Sequence, residues 1–207
     1  MVHDISWLLP GIAVVAALAH LPLCRVAPSS LRSLTKTVPL VALALFGAAM
    51  QFPFVLVAAL ALSAVGDLAL SRAGERAFLI GLGSFAMAHL AFIITFVGQG
   101  PFALNWPAAL ALLALAASAE FWLIPFTGPM RWPVRIYILL ICAMVLAALP
   151  VAPLLALGAA LFMASDLILA LRLFRFRNGP PVADYAVWLL YIGAQMLIVF
   201  AFLDLRN

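Results

Sequence analysis

The sequence predicts an all-α integral membrane protein, a bundle of eight transmembrane helices. Of its 207 residues, 68% are hydrophobic and only 9% are charged, and the mean hydropathy is +1.25. So few charges cannot cover the surface of a water-soluble domain of this length. The apolar runs are continuous and lack two-residue alternation, which favours helices over a β-barrel.

Eight charge-poor runs have the length of spanning helices. Proline and glycine separate them, as at Pro53, Pro150 and residues 179–181, and Pro39 suits the first turn of the second span. The opening segment MVHDISW has no basic region of the kind that begins a cleaved signal peptide, so we expect the first run to be retained. We treat the chain as a single transmembrane domain with spans at about 5–23, 37–51, 53–71, 78–97, 106–124, 133–149, 152–172 and 182–203.

The basic residues concentrate on one side of the predicted spans. Ten of the 11 Lys and Arg residues lie in odd-numbered connections, and Arg206 stands near the C-terminus. The positive-inside rule therefore predicts that the odd connections are cytoplasmic and that both termini lie outside. The Ala- and Leu-rich composition is typical of bacterial proteins and predicts the inner membrane. The ten residues are Arg25, Arg32, Lys36, Arg72, Arg76, Arg131, Arg135, Arg172, Arg175 and Arg177.

Asp67 and Asp166 each interrupt a predicted span. They lie in LSAVGDLAL and LFMASDLIL, 99 positions apart. An ionisable side chain near the centre of a spanning helix costs at least about 2.5–3.5 kcal/mol, and this chain carries that cost twice, so we predict that both carboxylates are functional. The same offset aligns Lys36 with Arg135, which suggests a parallel four-plus-four repeat. Chance matching in a Leu/Ala-rich sequence explains the alignment equally well.

The predicted topology gathers polar side chains into one layer, the cytoplasmic leaflet, with both aspartates one or two turns from its edge. Polar positions repeat at helical spacing in spans 3 and 8, and span 4 has an aromatic stripe. Because polar faces turn away from lipid, the pattern predicts a polar pocket with an aromatic wall suited to an acyl chain. The candidate binding residues are Lys36, Glu120 and Tyr137 in this layer, and His89, Tyr191 and Gln195 nearer the midplane.

Each candidate also has a purely structural interpretation. Polar side chains in membrane helices often link neighbouring helices, at about 0.6 kcal/mol each. The two aspartates can form structural ion pairs with Lys36, Arg135 or Arg172, and Glu120 can extend to water at the membrane edge. The remaining candidates can serve packing and hydrogen bonding, and the aromatic stripe can be ordinary core.

Several chemistries are not predicted. The chain has three histidines, and because His3 is expected at the outer surface, a three-histidine zinc site is not available. No GxSxG elbow or phosphate-binding glycine loop is present, and the basic residues do not alternate with aromatic ones as in nucleic-acid-binding proteins. What remains is carboxylate acid–base chemistry, for which we expect no metal or cofactor. Two neighbouring buried carboxyl groups share a proton, which suits reactions through an oxocarbenium-like cation.

At these residues the sequence resembles the YhhN-like membrane family, which includes the transmembrane lysoplasmalogenases. The resembling stretches are SAVGDLALSRAGERAFLIGLGSFAMAHLAF, RIYILLICAMVLAAL with GAALFMASDLILAL, and LYIGAQMLIVF. Lys36 in SLTKTVP is similar to the family's Lys-Pro opening of its second span, although Pro39 is displaced from the lysine. The resemblance covers about residues 30–203, and most of its specificity lies in Gly66-Asp67, Ser165-Asp166, Phe85 to His89, and Tyr191 to Gln195.

The resemblance implies hydrolysis of the vinyl ether bond of a lysoplasmalogen, which yields a fatty aldehyde and glycerophosphoethanolamine or glycerophosphocholine. In the expected mechanism one aspartic acid protonates the β-carbon, and the other, ionised, stabilises the cation and orients water. Which of Asp67 and Asp166 is the acid stays open, as does the oligomeric state. Lys36 or nearby arginines would hold the lipid phosphate, and span 4 the chain. The expected partners are the lysophospholipid substrate and membrane lipid, without nucleic acid.

Two other functions fit the same residues. Intramembrane carboxylates in a bundle also describe a proton-coupled transporter of small molecules or lipids, although the chain is short for a carrier and its charges lie at one edge. The third alternative is a non-catalytic lipid-binding or assembly protein.

Overall fold

The computed structural model describes residues 6–101, 103–176 and 179–206, and across these residues it contains helices and no strand. A π-helical turn, Leu171–Arg175, extends the seventh helix, and 3₁₀ turns at Leu21–Leu23, Ile124–Phe126 and Gly128–Met130 lie beside the first, fifth and sixth. In chain order the eight described α-helices are α1 (Leu8–His20), α2 (Ser30–Ala49), α3 (Phe54–Leu70), α4 (Glu75–Val97), α5 (Trp106–Trp122), α6 (Arg131–Ala148), α7 (Pro153–Ala170) and α8 (Val182–Asp204).

Capping residues explain where several helices begin. Ser29 Oγ accepts a hydrogen bond from the backbone N–H of Arg32 at 3.2 Å, and Asn105 Oδ1 accepts one from the N–H of Ala108 at 3.0 Å. Gly74 precedes α4 with a φ of +104°, a conformation that glycine adopts without a Cβ clash. These local signals set the starts of α2, α5 and α4.

In the part of the chain that the structure describes, six helical segments are long and apolar enough to cross a membrane, so the chain is an integral membrane protein. Large apolar side chains on the outer faces, such as Phe54 and Phe121, are more than four-fifths exposed, as expected of side chains that face lipid. Two further apolar segments, Leu8–Leu23 and Phe54–Leu70, are shorter. The six segments are Ser30–Ala49, Glu75–Val97, Trp106–Phe126, Gly128–Ala148, Pro153–Arg175 and Val182–Asp204. Eight spans stay a prediction.

The second predicted span begins too late in the sequence. Helix α2 starts at Ser30 rather than near residue 37, so Lys36 lies inside the helix and Pro39 is not in its first turn. The first turns of α2 contain polar residues, so the hydropathy pattern did not identify them as helical. The cap at Ser29 has no hydropathy signal either. The other helices begin and end within about three residues of the predicted spans. The start of the first predicted span, residue 5, lies outside the described residues.

Most basic residues assigned to the connections lie in helical segments instead. Long basic side chains reach the membrane surface from the last turns of a helix, so helical placement is compatible with an interfacial charge. The residues concerned are Arg32, Lys36, Arg76, Arg131, Arg135, Arg172 and Arg175. Arg177, like His3, lies outside the described residues.

The described residues of Met1–Thr95 and Phe202–Asn207 form one compact unit. In it, α2 packs against both α1 and α3. Helices α3 and α4 approach closely, because a Cβ on Gly66 would lie 2.6 Å from Cε2 of Phe85 and one on Gly81 would lie 2.6 Å from Cδ2 of Leu70. The glycines therefore allow the helix that carries Asp67 to rest on the aromatic stripe of α4.

The described residues of Phe96–Ala201 form the second unit, in which α6 packs against α5 and α7. Helices α7 and α8 approach at Gly158, where a Cβ would lie 3.1 Å from the carbonyl oxygen of Ala194. Ser165 Oγ also donates a hydrogen bond to the carbonyl of Val187 at 2.9 Å. These contacts fix the part of α7 that carries Asp166.

Candidate active site

Asp67 lies in the last turn of α3, on the buried face that it shares with Ser63 and Ser71. Asp67 is 1% exposed and both serines are fully buried. Ser71 Oγ donates a hydrogen bond to Ser33 Oγ of α2 at 2.7 Å, and Ser63 Oγ donates one to the carbonyl of Ala59 at 2.9 Å. The four-residue polar spacing therefore does mark a face turned into protein.

The buried carboxylate of Asp67 forms an ion pair with Lys36. The Nζ of Lys36 lies 3.5 Å from Oδ1 of Asp67, and the two side chains are 17% and 2% exposed. A cation at this distance, away from water, stabilises the ionised carboxylate. The pair fits the structural interpretation, and it equally suits a catalytic carboxylate that must stay charged. The role of Lys36 in substrate binding stays a prediction.

His89 lies on the buried face of α4. Its Nδ1 is 2.7 Å from the carbonyl oxygen of Phe85, and because a carbonyl only accepts, Nδ1 carries the proton in this contact. Phe85, His89 and Phe92 are almost completely buried, so the aromatic stripe of α4 turns inward as predicted. The assignment of His89 to substrate binding stays a prediction.

Asp166 of α7 contacts Tyr137 of α6. The hydroxyl of Tyr137 donates to Oδ2 of Asp166 at 2.5 Å, and both residues are partly buried. The bond orients the carboxyl group from a neighbouring helix. Sequence reasoning placed the two side chains in one membrane layer but did not identify this contact, since helix packing decides which side chains within a layer meet.

Glu120 lies on an exposed surface of the second unit, where Arg135 engages it. Arg135 Nε and Nη2 donate to the two carboxylate oxygens at 2.7 and 2.6 Å. The guanidinium also lies over the ring of Trp132, 4.8 Å from its centroid. Arg135 and Glu120 therefore form a bidentate ion pair. A substrate-binding role for Glu120 stays a prediction.

The polar face of α8 contains an aromatic contact and an ion pair. The ring of Tyr191 meets Phe162 of α7 edge to face at 5.3 Å between centroids, and Gln195, one turn further on, is fully buried. Asp184 lies at the start of the same face, where Nη2 of Arg172 is 2.9 Å from both of its carboxylate oxygens. Tyr191 and Gln195 stay candidate binding residues.

Arg32 was not identified from the sequence as a residue of the candidate site. Its Nη1 donates to the carbonyl of Ser71 at 3.4 Å, which links α2 to the end of α3. Arg32 precedes Lys36 by one helical turn, and this spacing was the signal available in the sequence. The late start predicted for the second span concealed it by leaving Arg32 in a loop.

In the described residues, no three His, Cys, Asp or Glu side chains cluster as a metal-binding group.

The chain is similar to known proteins over most of its length. A family model described as the YhhN family matches residues 31–202. Two relatives named Lysoplasmalogenase, from Mycobacterium bovis and Mycobacterium tuberculosis, are each 34% identical to it over 158 residues. The match covers 71% of this chain and 59% of each relative, so the chain spans less than two thirds of their length. No solved structure gives a significant match.

Proposed function

The chain belongs to the YhhN family, and from this premise we propose that it is a membrane hydrolase that cleaves the vinyl ether bond of lysoplasmalogens. The products are a fatty aldehyde and glycerophosphoethanolamine or glycerophosphocholine. The observation that carries the proposal is a pair of aspartates on apolar helices, one buried and one partly buried, each engaged by its own partner. Lys36 pairs with Asp67, and Tyr137 donates to Asp166. The relatives named Lysoplasmalogenase support the reaction class.

In the proposed mechanism Asp166 is the acid and Asp67 is the anion. A vinyl ether is hydrolysed once its β-carbon is protonated, because protonation creates an oxocarbenium ion that captures water. Asp166 donates that proton, oriented by Tyr137. Asp67, kept ionised by Lys36, stabilises the cation electrostatically and accepts a proton from the attacking water. The hemiacetal then collapses to the aldehyde and the glycerol hydroxyl, and proton exchange with solvent resets both carboxyl groups.

The remaining candidates are proposed to bind the substrate. His89 and the aromatic stripe of α4 suit the alkenyl chain, since they are apolar apart from one imidazole. Tyr191 and Gln195 contribute polar groups from α8, and Glu120 contributes a carboxylate from α5. No metal or cofactor enters the proposed chemistry, and nucleic acid is not a partner.

We also propose that α1 and α3 cross the membrane, giving eight spans in one domain. An apolar helix slightly shorter than the hydrocarbon thickness can span it when the bilayer thins locally and flanking side chains reach the surface. The matching settings of Asp67 and Asp166 support a parallel four-plus-four repeat. The basic residues support an orientation with both termini outside. The Ala- and Leu-rich composition supports a bacterial inner-membrane location.

The central experiment compares two substrates that differ in one double bond. Purified protein is incubated with a lysoplasmalogen and with its saturated alkyl ether analogue, and aldehyde release is measured. We expect aldehyde from the vinyl ether alone, because only its β-carbon can be protonated to an oxocarbenium ion. An Asp166→Asn preparation made in the same way controls for contaminating hydrolases. Absence of aldehyde from both substrates would reject the proposed activity.

Solvent deuterium tests the protonation step itself. Turnover in D₂O, with immediate borohydride reduction of the aldehyde, should place one deuterium on the carbon next to the new alcohol carbon. Product without that deuterium would mean that the β-carbon is not the site of protonation.

The rival transporter makes a different prediction. Vesicles that contain the protein would accumulate a solute in response to a proton gradient, and no aldehyde would form from lysoplasmalogen. That result would replace the hydrolase proposal.

A further inference from the structure

A basic cluster lies where the end of α1, the start of α2 and the end of α3 meet. His20 Nδ1 is 3.0 Å from Oγ1 of Thr35, which joins α1 to α2. Arg32 Nη1 donates to the carbonyl of Ser71, which joins α2 to α3. Lys36 follows Arg32 by one turn on the same side of α2. We define Arg32 and Lys36 as the basic cluster.

The two members of the basic cluster differ in how their polar groups are engaged. Lys36 is paired with the carboxylate of Asp67. The guanidinium of Arg32 forms no ion pair with a carboxylate of the described residues, and its Nε is buried without a hydrogen-bond partner among them. A buried donor without an acceptor is unfavourable, so this position favours an anion that can reach Nε.

We propose that Arg32 binds a phosphate group, and that the phosphate belongs to the headgroup of a lysophospholipid. A guanidinium edge presents parallel N–H groups that match the oxygens of a phosphate, and Arg forms such bidentate contacts where Lys provides only a point charge. The positive end of the α2 dipole adds to the attraction, because Arg32 lies in the first turn. The identity of the lipid rests on the proposed function, whereas the phosphate site rests on Arg32 itself.

The proposed site gives Lys36 and Arg32 different roles, which the sequence alone did not distinguish. Lys36 holds Asp67, and Arg32 holds the phosphate. Four helical residues rise about 6 Å, so a phosphate on Arg32 lies about one turn along α2 from the ion pair. That separation is roughly the length of the glycerol backbone between the phosphate and the vinyl ether oxygen. A phosphate site at Arg32 would therefore favour the phosphate-bearing lysolipid of the proposed function over an uncharged alkenylglycerol.

Binding measurements test the site without any turnover. The full chain in detergent is titrated with 1-acyl lysophosphatidylethanolamine and with a monoacylglycerol of the same chain, and inorganic phosphate is used as a competitor. We expect the phospholipid to bind roughly tenfold to a hundredfold more tightly than the monoacylglycerol, as for a charge-assisted contact. Arg32→Gln should remove this difference, and Arg32→Lys should restore part of it.

The matched control is Arg72→Gln. Arg72 is an exposed cation next to Ser71, so its removal changes the local charge by the same amount but leaves Arg32 in place. It should retain the preference for the phospholipid. Equal loss in Arg72→Gln and Arg32→Gln would overturn the proposal in favour of a diffuse surface charge. Equal affinity of the unmodified protein for both lipids would also overturn it, and that measurement does not depend on a variant that folds.

Two further outcomes distinguish a headgroup phosphate from free phosphate, and the phosphate site from the proposed hydrolase activity. If inorganic phosphate binds in an Arg32-dependent manner while the phospholipid has no advantage over the monoacylglycerol, the headgroup assignment is wrong. If the phospholipid preference depends on Arg32 but lysoplasmalogen yields no aldehyde, the hydrolase proposal fails and the phosphate site stands. With active protein, Arg32→Gln should raise KM more than it lowers kcat, since the phosphate is remote from the reacting carbon.

Discussion

The hydroxyl of Tyr137 donates a hydrogen bond to Oδ2 of Asp166, from α6 to α7, over 2.5 Å. The contact supports the proposal that Tyr137 positions the acid Asp166. The substrate contact predicted from the sequence stays a prediction. Tyr137→Phe removes the hydroxyl and keeps the ring. We expect kcat to fall roughly tenfold or more with a small change in KM, because the hydroxyl stabilises the carboxylate that forms as Asp166 gives up its proton. Tyr185→Phe, at the start of α8, is the control and should leave kcat and KM unchanged. A rise in KM alone would assign Tyr137 to substrate binding instead.

Both aspartates should be essential for turnover. Asp67→Asn and Asp166→Asn keep side-chain size and remove acid–base function, so each should lower kcat by about 10²–10⁴ while the protein still inserts and folds. Aldehyde release and the elution profile of the purified variants report the two properties. Asp204→Asn, at the exposed end of α8, is the matched control.

The double variant Asp67→Asn/Asp166→Asn tests whether the two carboxyl groups act in one step. Residues that act as a unit lose activity non-additively, so the double variant should be about as slow as the slower single variant. Purified single variants with near-normal activity would refute the catalytic assignment.

The ion pair between Lys36 and Asp67 should contribute to stability. Lys36→Met leaves a buried carboxylate without its cation, and loss of one partner of a buried pair costs up to about 3–5 kcal/mol. Denaturant unfolding in detergent measures this free energy. Lys36→Met/Asp67→Asn should recover much of the loss, since the amide removes the buried charge. An unchanged unfolding free energy in Lys36→Met would show that the pair is not stabilising.

The close approach of α3 and α4 predicts a steric effect at Gly66. A Cβ there would lie 2.6 Å from Phe85, so Gly66→Ala should destabilise the protein by about 1–3 kcal/mol through overpacking. It should also lower activity, because the neighbouring residue is Asp67. Gly83→Ala is the matched control: nothing lies within 4 Å of its Cβ, and alanine is the better helix former. Thermal unfolding of both variants in one detergent decides the comparison.

Chelators should leave the activity unchanged. The proposed chemistry uses two carboxyl groups and water, so aldehyde release after dialysis against EDTA should equal that of untreated protein. Loss of activity that added zinc restores would overturn the metal-free mechanism.

Family membership and the helical membrane class could be predicted from the sequence alone, and both are confirmed. Long apolar runs predict helices because lipid leaves the backbone no other way to satisfy its hydrogen bonds. The start of α2 could not be predicted in the same way. It depends on the cap at Ser29 and on basic residues that a hydropathy pattern assigns to a loop.

The residue types of the candidate site were also readable from the sequence, because carboxylates in apolar helices are costly and stand out. Their partners were not. Lys36, Arg135 and Arg172 were each possible cations for the two aspartates, and the tertiary structure pairs them with Asp67, Glu120 and Asp184 in turn.

The chain by itself therefore determined that the protein is built of long apolar helices and which charged groups those helices carry. Only the tertiary structure decided which of those groups touch, such as Tyr137 with Asp166 and Arg32 with Ser71. The physical reason is that insertion depends on the apolar content of each segment alone, whereas a side-chain contact depends on the rotation and approach of two helices, which small residues such as Gly66 allow.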